Sequence, residues 1–145
     1  MEKVLILSGS KSDAEIVESV ETVLKAFEVP YRSEIASAHR NPDKVDQLVM
    51  ETSARVFIAV AGLSAALPGV VASKTSKPVI GVPVNAALGG LDSLLSIAQM
   101  PPNVPVATVG INGGKNAAML AIQILALSDQ DLAAKLSDFK EKMKQ

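Results

Sequence analysis

The chain has 145 residues, 48% of them hydrophobic and 20% charged, which is enough apolar side chain for a sizeable core and a length that suits one domain. Fourteen basic against fifteen acidic residues leave a net charge of −1, which argues against a nucleic-acid face, and nothing reads as a polybasic membrane segment. The absence of cysteine rules out disulfides and thiolate metal sites, and a single histidine makes a zinc centre untenable.

Met1-Glu2-Lys3 runs straight into Val4-Leu5-Ile6-Leu7, an apolar run too short for a signal segment and broken by Ser8-Gly9-Ser10. Val4 to Leu7 reads as a buried parallel strand, because a strand covered on both faces is continuously apolar. Ala14 to Phe27 carries Val17, Val20, Val23, Leu24 and Phe27 at helical spacing, and Pro30 blocks its continuation. Tyr31 to Ala36 alternates as a second strand. Pro42 to Glu51 is a helix with proline in its first turn, where the missing N–H is harmless. Val56 to Val60 is a third strand, followed by a short helix of small residues from Ala65 to Ser73. Pro78 to Val82 is a fourth strand, Leu91 to Met100 a helix stopped by Pro101-Pro102, and Val104 to Val109 a fifth strand. Lys115 to Leu127 is a strongly apolar helix, and Asp129 to Lys144 a charged amphipathic one, capped by Ser128 or Asp129.

Strands alternating with helices imply a parallel sheet covered on both faces, in one unit spanning residues 1–145 with no linker or repeat. The helix from Asn116 to Leu127 is apolar nearly all round. It is either packed under the final helix or turned to another subunit, and the small size of the domain favours the subunit interface. No stretch approaches the roughly 20 apolar residues of a membrane span, so a cytoplasmic protein is expected.

Four loops at strand exits carry the polar chemistry. Ser8-Gly9-Ser10-Lys11-Ser12-Asp13 leaves backbone N–H groups free for an anion, with hydroxyls from Ser10 and Ser12. Asp13 repels a phosphate and suits a sugar diol; its bland use, shared with Ser12, is to cap the helix. The loop lacks P-loop spacing. Ser37-Ala38-His39-Arg40 holds the only histidine, a side chain that gives and takes protons near neutrality. Arg40 can grip a phosphate through two parallel N–H bonds. The loop from Ala61 through Gly62, Leu63 and Ser64 to Gly69 is small enough for a planar ligand to approach the backbone, or for tight helix-to-sheet packing. Gly81 to Asp92, with Gly89-Gly90, resembles a mobile lid. Strand exits on one rim of a doubly wound sheet converge, so the first three loops should share a site. There is no second carboxylate beside Asp13, no Ser–His–Asp set and no metal cluster, and chemistry must run on one histidine, fixed dipoles and positioning. A flavin-binding module would need aromatics on the rim, and these loops have none.

In that order the motifs resemble the 5-(carboxyamino)imidazole ribonucleotide mutases and 5-aminoimidazole ribonucleotide carboxylases of purine biosynthesis. The matching words are Gly9-Ser10-Lys11-Ser12-Asp13, Ser37-Ala38-His39-Arg40 with Pro42-Asp43, Leu67-Pro68-Gly69, Pro78 to Val84, Gly90 to Ile97, Gln99-Met100-Pro101 and Asn116-Ala117-Ala118. The resemblance implies a flavodoxin-like, doubly wound five-stranded α/β/α domain with a C-terminal helix. It also implies a homo-octamer, a ribonucleotide substrate, and neither metal nor organic cofactor. By matched position, Ser10 and Arg40 would bind the phosphate with Ser12 and Ser37 nearby, Asp13 the ribose hydroxyls, and His39 would shuttle the proton. The implied reaction is the mutase, moving a carboxylate from the exocyclic nitrogen to ring C4, with direct carboxylation by carbon dioxide as the alternative. One departure stands out: the mutase branch usually carries a second histidine just before Leu-Pro-Gly, and here that position is Ala66. Asn85, Lys74 and Lys115 are the polar residues left to stand in for it.

Overall fold

The computed structural model describes residues 1–145. Its centre is a sheet of five parallel strands in the order β2-β1-β3-β4-β5, formed by β1 (Val4–Ser8), β2 (Tyr31–Ile35), β3 (Val56–Ala61), β4 (Val79–Pro83) and β5 (Ala107–Thr108). This is the flavodoxin-like order. β1, β3 and β4 are buried along their whole length, which is why their sequences are unbroken apolar runs. β2 lies at the edge and is half polar. Arg32, Glu34 and Lys44 form ion pairs there, and such charges discourage pairing with a foreign strand.

Helices cover both faces. One side holds α1 (Ala14–Ala26), α5 (Gly114–Ala126) and α6 (Gln130–Lys142) against Val4, Ile6, Ile58, Val60, Ile80 and Val82. The other holds α2 (Pro42–Glu51), α3 (Leu67–Ala72) and α4 (Leu91–Ala98) against Leu5, Leu7, Phe57, Ala59 and Val79. Alternation along each strand divides the core in this way: odd and even residues of β1 feed opposite layers. Each fully buried Leu, Ile or Phe contributes about 1.5–3 kcal/mol.

Two helices stop short of their apolar patterns for backbone reasons. Ala65 sits at φ +28°, outside the helical region, so α3 begins at Leu67 and not at Ala65. α4 ends at Ala98, where Gln99 turns to ψ +72° ahead of the residue preceding Pro101. The fifth strand was expected over Val104–Val109 and is two residues long. Pro105 has no N–H to give a ladder, and the Val104 amide closes a turn on Pro101 O at 3.3 Å. The Gly89-Gly90 segment is a 3-10 turn over Leu88–Gly90. Gly90 is at φ +85°, and a side chain there would meet Ile111 Cγ2 at 2.6 Å.

The apolar helix expected to face another subunit is covered by its own chain. Ala117, Ala118, Ala121, Ile122 and Leu125 of α5 are buried against α1, α6 and the sheet. Met119, Leu120 and Ile124 pack partly on the same core, and only Leu127 just past the end is bare. α6 closes over α5 as the other reading held. Its N-cap is Asp129, whose Oδ1 accepts from Leu132 N at 3.1 Å, and Phe139 meets Phe27 of α1 edge-on at 5.4 Å.

Candidate active site at the strand exits

The loops after β1, β2 and β3 leave from the same end of the sheet, where the chain steps to β2 on one side of β1 and to β3 on the other. Such a reversal opens a crevice that helices do not fill. Here it is a cavity of about 450 Å³. Ser10, Ser12 and Asp13 line it from the first loop, Ser37, His39 and Arg40 from the second, and Ala61, Gly62, Leu63 and Ser64 from the third. The ten residues singled out from the first three loops therefore face one space.

Each loop is held by its own polar atoms. Ser10 caps the 3-10 turn Lys11–Asp13: its Oγ accepts from Ser12 N at 3.1 Å and lies 2.8 Å from Ser12 Oγ. Asp13 makes no capping hydrogen bond to α1 and is 6% exposed, so its bland role as a helix cap is not the one it plays. Burial pushes its carboxyl pKa above the ordinary value, and a backbone hydrogen bond at Ser10 only partly opposes this. Ser37 Oγ accepts from Arg40 N at 3.1 Å and from Arg40 Nε at 3.3 Å. Arg40 Nη2 donates to Gly9 O at 2.8 Å, which ties the second loop to the first. No carboxylate pairs with this guanidinium, so its charge is open to an anionic ligand. His39 is exposed at the mouth, one residue before it.

The third loop is backbone under tension. Leu63 at φ +57° and Ala65 at φ +28° are left-handed conformations that side chains disfavour, and such strain collects at ligand sites. Ala65 N donates to Gly62 O at 3.0 Å to close the turn. A Cβ on Gly62 would stand 3.2 Å from that of Ala86, so this loop and the one after β4 touch.

Gly9, Ala38, Ala65, Ala66 and Leu67 also line the cavity and lie within the three loops expected to converge, whereas Ala86, from the loop after β4, was not expected in its wall. Ala86 carries no signal of its own, because an alanine in a loop is unremarkable until the fold brings β4 beside β3. None of the proposed stand-ins for a second histidine reaches the cavity. Lys74 pairs with Asp46 at 2.7 Å, Asn85 binds through its backbone to Asn112 Oδ1 at 2.9 Å, and Lys115 lies on the first turn of α5. Besides His39, the only ionisable side chains lining the cavity are Asp13 and Arg40.

Fold and site together define a doubly wound α/β protein whose switch-point cavity is lined by serines, a buried aspartate, an arginine without a carboxylate partner and the only histidine. The family described as AIR carboxylase matches residues 3–145, and the chain belongs to it. The N5-carboxyaminoimidazole ribonucleotide mutase of Methanocaldococcus jannaschii is 57% identical over 97% of this chain and 90% of its own length. That of Bacillus subtilis is 49% identical over 97% of this chain and 90% of its own length. The crystal structure of Treponema denticola PurE superposes with a TM-score of 0.89 at 31% identity, covering 98% of this chain and 91% of that one.

Proposed function

We propose that residues 1–145 act as one catalytic unit, an N5-carboxyaminoimidazole ribonucleotide mutase working in the cytoplasm as a homo-octamer. The observation that carries the activity is the mutase name borne by relatives 45% to 57% identical over nearly the whole chain, which favours it over direct carboxylation. No helix is long and apolar enough to cross a membrane, which is consistent with the location.

Arg40 binds the substrate's phosphate, its guanidinium already aligned by Ser37 Oγ and Gly9 O, with Ser10, Ser12 and Ser37 supplying hydroxyls. Asp13, buried in the same wall, takes the ribose hydroxyls, which can donate to a carboxylate. The strained Ala61-Gly62-Leu63-Ser64 backbone receives the flat imidazole. His39 then handles the proton. As the N–C bond breaks and carbon dioxide departs, its imidazolium donates to the exocyclic nitrogen. Ring C4 attacks the retained carbon dioxide, and the neutral imidazole accepts the C4 proton. The cycle returns His39 to its starting state, so one group serves both halves. The methyls of Ala61, Ala65, Ala66 and Ala86 hold no charge to trap carbon dioxide, which stays in place through confinement.

The reading is tested by offering the carboxyamino substrate in one assay and aminoimidazole ribonucleotide with bicarbonate in another. A kcat/KM at least about tenfold higher for the first is expected, roughly 1.4 kcal/mol of transition-state preference. The opposite ranking would make the protein a carboxylase.

A further inference from the structure

Of the alanine methyls that confine carbon dioxide, those of Ala61, Ala65 and Ala66 stand on the loop after β3, and Ala86 alone comes from the loop after β4. Its place therefore depends on how that second loop is held. The glycines of Gly81 to Asp92 suggest a mobile lid, yet the start of the loop is pinned from three directions. Val84 N donates to Ala61 O at 3.0 Å. Val84 O accepts from Oγ of Ser93, a wholly buried side chain of α4, at 2.8 Å. Asn85 N donates to Asn112 Oδ1 at 2.9 Å, and Asn112 N donates to Pro83 O at 2.7 Å. Asn112 itself does not line the cavity. It sits in the turn between β5 and α5 at φ +59°, a left-handed backbone that Gly, Asn and Asp adopt most readily. Glycine would serve that turn equally well. What glycine lacks is the side-chain carbonyl that fixes the amide one residue before Ala86.

We propose that Asn112 is a positioning residue for the reaction: its side-chain carbonyl holds the Asn85–Ala86 backbone so that the Ala86 methyl closes the cavity against Gly62 and keeps carbon dioxide beside ring C4. The retention rests on the proposed mutase reaction; the clamp itself does not. Carbon dioxide carries no charge for Arg40 or His39 to grip, so confinement sets its effective concentration, and a displaced wall lowers that concentration steeply. When carbon dioxide escapes before C4 attacks, the substrate ends as aminoimidazole ribonucleotide. His39 has then given its proton to the exocyclic nitrogen and takes another from solvent, so the balance closes without the carboxylated product. The Asn112–Asn85 hydrogen bond is exposed, so water satisfies both groups when it is broken and the fold survives its loss.

Asn112→Gly keeps the turn and removes the acceptor, and Asn112→Asp keeps both. Each is given the carboxyamino substrate, and aminoimidazole ribonucleotide released per carboxylated product is measured over the enzyme-free background. In Asn112→Gly that ratio should rise about fivefold or more, with the substrate KM and the particle mass unchanged, while Asn112→Asp should keep the wild-type ratio. A wild-type ratio in Asn112→Gly would overturn the proposal, and so would equal leakage from Asn112→Asp, which retains the acceptor. A raised substrate KM would assign the loop to ribonucleotide binding, a smaller particle would assign the leak to assembly, and either overturns it. Amide hydrogen exchange of the peptide containing Asn85 and Ala86, read by mass spectrometry on ligand-free protein, checks the clamp without any turnover. Exchange should be about tenfold faster in Asn112→Gly than in the wild type or Asn112→Asp, and equal rates in all three would dismiss the clamp. Should the protein prove to carboxylate aminoimidazole ribonucleotide directly, the mutase reading fails and the same wall shows in another constant. Asn112→Gly should then raise the KM for bicarbonate about fivefold or more with the ribonucleotide KM unchanged, and an unchanged bicarbonate KM would overturn the proposal.

Discussion

The imidazole of His39 stands exposed at the cavity mouth, and no other histidine exists to share its work. His39→Asn keeps a planar polar side chain and disturbs no buried contact. Its thermal unfolding should match the wild type, while kcat falls by about 10²–10⁴, the usual worth of a positioned acid–base group. Near-normal turnover in a folded variant would dismiss His39 as the proton carrier. Asp13 makes the opposite kind of prediction. Burial raises its carboxyl pKa, so the folded state holds that proton more tightly than the unfolded chain does. Its contribution to stability is most favourable below the unfolded value of about 3.9, and is lost as pH rises through the folded-state value. Asp13→Asn removes the buried charge without removing a capping bond. It should melt higher than wild type at pH 7, with the gap closing as pH falls towards 4, and should bind the ribonucleotide less well. A variant that melts lower at pH 7 would show that the carboxylate is structurally needed. Stability given up for a charge inside the site is the expected trade in an enzyme.

Among the elements, the crossing of α1 and α5 depends on a missing side chain. A Cβ on Gly114 would collide with Ser19 Oγ and lie 2.8 Å from Ile16 O. The hydroxyl could swing aside, but the backbone carbonyl could not. Gly114→Ala should therefore cost about 1–3 kcal/mol, despite alanine's better helix propensity, read as a lower urea midpoint at unchanged slope. An unchanged midpoint would mean that the helices slide apart freely. Periodicity was a good guide to where these helices and the buried strands lie, because burial on one or two faces writes itself into residue order. It overstated β5, where Pro105 removes a donor and an apolar run alone does not form a ladder. It placed the start of α3 at Ala65, whose left-handed backbone is set by the Gly62 turn and not by the helix pattern.

For the whole molecule, the apolar surface left bare is not where α5 suggested. Leu88, Leu91 and Leu95 are 80%, 54% and 49% exposed along the 3-10 turn and α4, and Ile111 borders them at 37%. Apolar surface of this kind on a small protein marks an interaction face, and it supports the proposed octamer. Light scattering should find a particle eight times the 15.1 kDa chain, and Leu95→Glu should reduce its mass. A wild-type monomer at micromolar concentration would end that proposal. The convergence of Ser10, Asp13, His39 and Arg40 on one cavity was legible beforehand, because they are polar residues in loops whose ends the strand pattern marks.

What the residue order determined by itself was the doubly wound class, the two-sided burial of β1, β3 and β4, and the polar rim. These follow from local periodicity and from the rule that strand exits in such sheets share an edge. What only the tertiary structure decided was how separate segments share space. It set α5 against α1 and α6 instead of leaving it to a partner, brought Ala86 into the cavity wall, and kept Lys74 and Lys115 out of it. Alanines, and lysines that fall on one side of a loop or the other, carry no pattern that names their neighbours. Contact between residues distant in sequence depends on three-dimensional packing, and no local window of residues contains it.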